Sequence, residues 1–152
     1  MSTSRPGIDC KVALGTDNIL GIGNWSQDGK TIAEIDDTEF GDHATKFVFG
    51  IQDGGTISFN GHYKPDDTTG QIALTEAFDA RTELTNLRLY IDETSYYEPC
   101  QTTGYLHPGM TTGANTSGVS NVVITGEPIS VDKGAQVQIS FTGRLSGDMV
   151  LV

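Results

Sequence analysis

Strict alternation of apolar and polar residues recurs in several separate runs of this chain. That period of two constrains the fold more than any other feature, because a strand sends successive side chains to opposite faces. Ile8, Cys10, Val12 and Leu14 oppose Asp9, Lys11 and Ala13. Ile57, Phe59 and Tyr63 oppose Thr56, Ser58, Asn60 and His62, and Leu87, Leu89 and Ile91 oppose Arg88, Tyr90 and Asp92. Val137, Ile139 and Phe141 oppose Gln136, Gln138, Ser140 and Thr142. Further strands are expected at Lys30–Asp36, Val119–Gly126 and Ile129–Val131, separated by turn signals such as Asp53-Gly54-Gly55 and Asp132-Lys133-Gly134. The 19 glycines follow no collagen-like period and read as turn punctuation. The expected class is mainly β, an antiparallel sandwich or barrel-like fold, with one flanking helix over about residues 69–82, where Leu74, Ala77, Phe78 and Arg81 recur at spacings of three and four. Asp66, Asp67, Thr68 and Thr69 supply its capping residues.

A length of 152 residues fits one domain, 1–152. Residues 37–53 read as a long connection whose Phe40, Phe47 and Phe49 need cover, either from another subunit or from this chain's own core. A Gly-, Thr- and Pro-rich stretch from Glu93 to Gly118 follows the third alternating run, with room for a short strand at Tyr105-Leu106-His107. The chain ends on the apolar run Met149-Val150-Leu151-Val152, suited to an exposed strand edge or to pairing within the chain. No apolar stretch follows the basic start as in a secretory signal, and none is long enough to cross a bilayer, so the protein is expected to be made and kept in solution.

Twenty Asp and Glu stand against nine Lys and Arg, a formal net charge of −11. That balance disfavours a non-specific grip on phosphate backbones. Cys10 and Cys100 lack metal spacing and read as a small core residue and an incidental thiol. His43, His62 and His107 lie far apart. The acidic run Asp36-Asp37-Thr38-Glu39 with Asp42 does not fit a calcium loop and reads as a solvated turn. Glu76 and Asp79 lie on one helix face and make no case for a glycosidase pair. Gly21-Ile22-Gly23 is no dinucleotide fingerprint, so no catalytic residue, metal or cofactor is expected.

The order Asp36-x-Thr38-x-Phe40, then Phe47-x-x-Gly50-x-x-Asp53-Gly54-Gly55-x-Ile57-Ser58-Phe59-x-Gly61, then Pro65-Asp66-Asp67 before the single helix, resembles the major tail tube proteins of long-tailed bacteriophages. The resemblance covers residues 35–92 best and is nearer to the non-contractile, siphovirus-like kind than to the tubes of contractile injection systems. It implies a non-enzymatic virion protein, assembled in the host cytoplasm, whose hexameric rings stack into a tail tube that conducts genomic DNA during ejection. Its partners would be further copies of itself, tape-measure, tail-tip and tail-terminator proteins, and DNA that passes without specific binding. No membrane is involved. On this reading Phe40, His43, Phe47, Phe49, Met149 and Leu151 are candidate inter-subunit contacts. Thr56, Ser58, Asn60, His62, Gln136, Gln138, Ser140 and Thr142 are candidates for the lumen face. Lys and Arg, notably Arg5, Lys64 and Arg88, should lie outside the lumen or pair with carboxylates, since unpaired cations would hold DNA. The alternative from another class is an extracellular carbohydrate-binding sandwich using Trp25, Tyr90, Tyr96 and Tyr97 as a stacking platform.

Overall fold

The computed structural model describes Gly7 and residues 10–102, 105–106, 111 and 119–152. Within them it is mostly antiparallel β with a single helix. One sheet contains β1 (Lys11–Leu14), β2 (Asp17–Asn18), β7 (Leu87–Tyr90), β8 (Tyr96–Pro99) and β12 (Met149–Leu151), in the order β12-β8-β7-β1-β2. The second contains β3 (Ile22–Asp28), β6 (Thr56–His62), β10 (Ile129–Ser130) and β11 (Gln138–Ser146) in the order β10-β11-β6-β3, with β9 (Asn121–Gly126) also paired to β11. A separate two-stranded ribbon is made by β4 (Thr31–Asp36) and β5 (Phe47–Asp53).

The alternation becomes burial. Val12, Leu87 and Leu89 from the first sheet meet Ile57, Phe59, Ile139, Phe141 and Leu145 from the second in one hydrophobic cluster. Phe59 and Phe141 are direct cross-strand partners whose rings stack at 5.4 Å between centroids. Burying each such ring contributes on the order of 1.5–3 kcal/mol. The helix α1 (Gln71–Ala80) adds Leu74 and Ala77 to the same cluster. It is shorter than the expected 69–82, because Arg81 adopts a left-handed conformation and its backbone N–H closes the last turn onto Phe78 and Ala77 carbonyls.

The expected capping segment acts through one residue. Asp67 is buried, and its Oδ2 accepts the backbone N–H of Gln71 at 3.1 Å and of Leu20 at 2.9 Å. Gly70 is required beside it, since a Cβ there would sit 2.1 Å from that carboxylate oxygen. Buried Gln71 completes the clasp. Its Nε2 donates to the carbonyls of Leu20 (2.7 Å) and His62 (2.9 Å), and its Oε1 accepts the Lys64 N–H at 2.9 Å. One amide thus ties the helix start to the ends of β3 and β6, with its polar atoms satisfied.

Several expectations are corrected. Residues 37–53 are not one loop, because Phe47–Asp53 pairs with Thr31–Asp36. A strand unanticipated in the Glu93–Gly118 stretch, β8, forms because β7 and β12 both pair with it. Tyr105 and Leu106 lie outside any strand, and His107 is outside the described residues, as are Ile8 and Asp9. Ala13, expected to face out, is buried. The cysteines exchange roles: Cys10 is half-buried and Cys100 buried, its Sγ 3.3 Å from the Thr102 carbonyl.

Replacing Gln71 with Ala leaves three partly buried backbone groups without their partner. It should lower unfolding free energy by about 2–4 kcal/mol in urea titration; a loss under about 0.5 kcal/mol would show the clasp to be dispensable.

Candidate functional site

The two uncharged polar runs expected from the sequence lie side by side. β6 and β11 pair antiparallel, setting Ser58 opposite Thr142, Asn60 opposite Ser140 and His62 opposite Gln138, on the face turned away from the core. Gln138 Nε2 and His62 Nδ1 are 3.2 Å apart. Gln136 is exposed but precedes β11, so it flanks this face and does not belong to its ladder. A third strand extends the face unforeseen. β3 sets Ser26 opposite Ser58 and Asn24 opposite Asn60, and the Ser26 and Ser58 hydroxyls bond at 2.8 Å. The register shift between Ile22 and Asn24 interrupts the alternation of β3, which hid this strand in the sequence.

The result is a grid of hydroxyls and amides across three strands, closed at one end by a charged row in which Asp28 and Arg144 both flank Thr56 in register. Arg144 hydrogen-bonds the Asp53 carboxylate. Asp53 also accepts the Gly55 N–H at 2.9 Å, and this bond first, then Arg144, holds its carboxyl below the usual carboxylate range. Of the cations singled out in the sequence, Arg88 lies on the other sheet with Nε 3.5 Å from Glu98, Lys64 is exposed beyond the end of β6, and Arg5 is outside the described residues.

The β4–β5 ribbon projects as an arm. Every residue from Thr31 to Gln52 is exposed except Asp42 and Gly50, which are half-buried. The pairs Asp36–Phe47, Glu34–Phe49 and Ile32–Gln52 share one face, while Ile35–Val48 share the other. Gly50 stands over that second face: a Cβ built on it would be 3.3 Å from the Ala33 Cβ and 3.5 Å from Ile35 Cδ1. One side therefore sets Phe47, Phe49 and Ile32 beside Asp36, Glu34 and Gln52, and the other, with Ile35, Val48 and Ala33, is apolar. Phe49 is 66% exposed and Ile51, at the irregularity, 89%. A lone two-stranded ribbon is marginal in water, and among the described residues nothing buries this one on either side. The acidic residues shape the tip: Asp36 accepts the Thr38 N–H at 2.9 Å, Asp42 accepts the Glu39 N–H at 2.8 Å, and Lys46 pairs with Asp42 at 3.3 Å. Phe40 and His43 are exposed there.

The arm brings Phe40, His43, Phe47 and Phe49 onto one projection, but Met149 is not with them. It is 1% exposed, because β12 pairs with β8 and turns Met149 into the core. Met149 is therefore corrected from contact surface to core residue, and Leu151, half-buried in the same strand, is paired within the chain.

The supposed aromatic platform is also divided. Trp25 and Tyr97 pack edge to face at 6.4 Å against the core cluster. Tyr90 and Tyr96 form a separate pair whose rings are capped by Lys11 and Arg88, each 4.5 Å from the centroid. Trp25 and Tyr90 line one shallow concavity with Cys10, Asn24 and Ile91, while Tyr97 packs toward the core.

Two outcomes check this geometry. The double change Phe47→Asp and Phe49→Asp should leave the unfolding free energy of the isolated protein within about 0.5 kcal/mol of the parent, as read by urea titration. A larger loss would mean the arm packs on its own body. In a carbon-detected NMR titration the Asp53 carboxyl should titrate below 3.8, and Arg144→Gln should raise it only part of the way, because the Gly55 N–H remains. Its contribution to stability is present above about 3.8 and is lost as pH falls through the depressed value.

No protein-family model and no curated protein matches the chain. Solved structures do. A chain of the virion of a native gene transfer agent particle matches with a TM-score of 0.68 at 12% identity, covering 98% of this chain and 99% of that one. A chain from the tail of an empty gene transfer agent particle, refined with C6 symmetry, matches at 0.63 and 13% over the same shares. A chain from the six-fold symmetrised anti-feeding prophage baseplate matches at 0.54 and 10%, covering 100% of this chain and 97% of that one. Across its length, the chain has the fold of subunits found in a gene transfer agent tail and in an anti-feeding prophage baseplate.

Proposed function

We propose that this protein is a structural tail-tube subunit that polymerises as stacked hexameric rings around a channel for DNA. The observation that carries the reading is the full-length fold likeness to a chain of a C6-symmetric tail. The arm supports it, since a ribbon whose exposed Phe47, Phe49, Ile35 and Val48 are covered by none of the described residues suits burial by other subunits. The grid of Asn24, Ser26, Ser58, Asn60, Ser140 and Thr142 supplies the channel wall. It offers hydrogen bonds to water and no free cation row to hold phosphates, the one arginine in its ladder being engaged by Asp53. Six copies at −11 give each ring a formal charge of about −66, which pushes DNA toward the axis. The role is one of assembly and conduit, not catalysis, and its place is the virion tail beside tape-measure, tip and terminator proteins. The weaker baseplate likeness supports, as a second reading, the tube of a contractile injection system.

Negative-stain microscopy of the concentrated protein should show rings or tubes with a central hole, and Phe47→Asp should abolish the tubes while leaving a folded protein. A strictly monomeric species under all conditions would overturn the reading.

A further inference from the structure

One ionisable side chain stands in the otherwise neutral end of the polar grid. His62 closes β6, and its ladder row is Ser130–Gln138–His62. The next outward-facing row holds Ser140, Asn60 and Asn24, while Asp28 and Arg144 lie at the opposite end of the face. The backbone of His62 is pinned on two sides. Its N–H donates to the Gly21 carbonyl at 2.9 Å, and its carbonyl accepts Gln71 Nε2 at 2.9 Å. The residue itself stays exposed.

The ring sits in the bonding pattern of a neutral imidazole. Its Nδ1 lies 3.2 Å from Gln138 Nε2, and an amide nitrogen can only donate, so Nδ1 accepts. A proton added at Nδ1 would face that NH2 group. The Gln138 amide then turns over to offer its oxygen, and the N–H on the other ring nitrogen, which no described residue engages, is left for a ligand.

The charges around this corner come from four elements. Beyond the end of β6, Lys64 is exposed, and among the described residues no carboxylate pairs with it. Its stem shares the His62 backbone: a Cβ built on Gly21 would be 3.0 Å from Lys64 Cγ and 2.5 Å from the His62 carbonyl oxygen. The turn between β10 and β11 carries exposed Asp132 and Lys133. Ahead of α1, Asp66 is exposed, while Asp67 is buried and occupied by two backbone N–H groups. β3 brings only Gly21 and Ile22. The exposed charges thus balance two against two until His62 takes a proton.

We infer that His62, once protonated, is a phosphate-binding site on the polar face, its imidazolium donating to the non-bridging oxygens of a nucleic-acid strand while Lys64 neutralises the same phosphate. The inference rests on the tube reading and adds a condition to it. With His62 neutral the wall offers DNA no anchor, whereas six protonated copies at one level of a ring grip the strand. Each contact displaces counterions from the strand, so the grip weakens as salt rises. Histidine is the residue type that changes charge between about pH 5 and 8. The remaining grid positions near it are hydroxyls and amides, and Arg144 is already engaged by Asp53.

The test is retention of a fluorescent oligothymidylate by sedimented tubes at about pH 5.5 and about pH 8. The parent is expected to retain about tenfold more at the lower pH, and added salt to release it. His62→Gln is expected to hold little at either pH, and His62→Arg to hold the strand at both. Gln138→Glu gives the imidazolium a carboxylate partner and is expected to hold little at either. His43→Gln, on the arm, should behave as the parent. All these positions are exposed, and unchanged thermal melts confirm that the variants fold. Tubes whose retention is the same at both pH values, a parent-like pH response in His62→Gln, or failure of His62→Arg to hold the strand at about pH 8 each overturns the inference and leaves the tube reading standing. If the parent forms neither rings nor tubes, both fall.

Discussion

The antiparallel pairing of β6 with β11 is the constraint on which the other features rest. Seven residue pairs fix its register from Gln138–His62 to Arg144–Thr56. A slip by one residue would exchange the two faces. Phe59, Phe141, Ile57 and Ile139 would then meet water, and Ser58, Asn60, Ser140 and Thr142 would enter the core. The stacked Phe59–Phe141 pair and the buried aliphatic neighbours oppose that slip from one side. The clasp of Gln71 on His62 and Lys64 pins the far end of β6, and the Gly55 carbonyl receives the Leu145 N–H at the near end. The polar grid and the root of the arm are therefore held by the same register that makes the core.

Parts of the chain that are half in water and half in protein were readable from the sequence, because alternation reports that condition directly. β6, β7 and most of β11 follow it, and so does the helix through Leu74 and Ala77. Alternation is silent where both sides of a strand meet the same environment. Phe47-Val48-Phe49 is apolar on both faces of the arm, so it reads as an aromatic-rich loop and not as a strand. Met149-Val150 is covered on both sides, so the terminal apolar run suggests an exposed edge when the pairing of β12 with β8 is unknown, and Ala13, outward by alternation, is likewise buried.

The candidate surfaces divide along the same line. The eight polar positions expected for the lumen face come from two runs, and seven of them lie in the ladder of one sheet face. β3 is hidden in the sequence because its register shift removes the period, although Asn24 and Ser26 carry the same chemistry. Asp53 and Arg144 could not be joined from the sequence either, since 91 positions separate them and only the β6–β11 register brings them together.

If the polar grid lines a channel, as proposed, it has a hydrodynamic consequence. A surface of hydroxyls and amides that already bond one another, as Ser26 does Ser58 and Gln138 does His62, keeps a wetted layer without offering any strong anchor to what passes. Friction along such a wall is set by the exchange of water molecules, whose bonds to neutral groups break and re-form quickly, and not by the escape of ions from wells. The speed of a polyanion through the channel would then depend little on its sequence and only weakly on salt, and the driving pressure at one end would reach the other with few pauses.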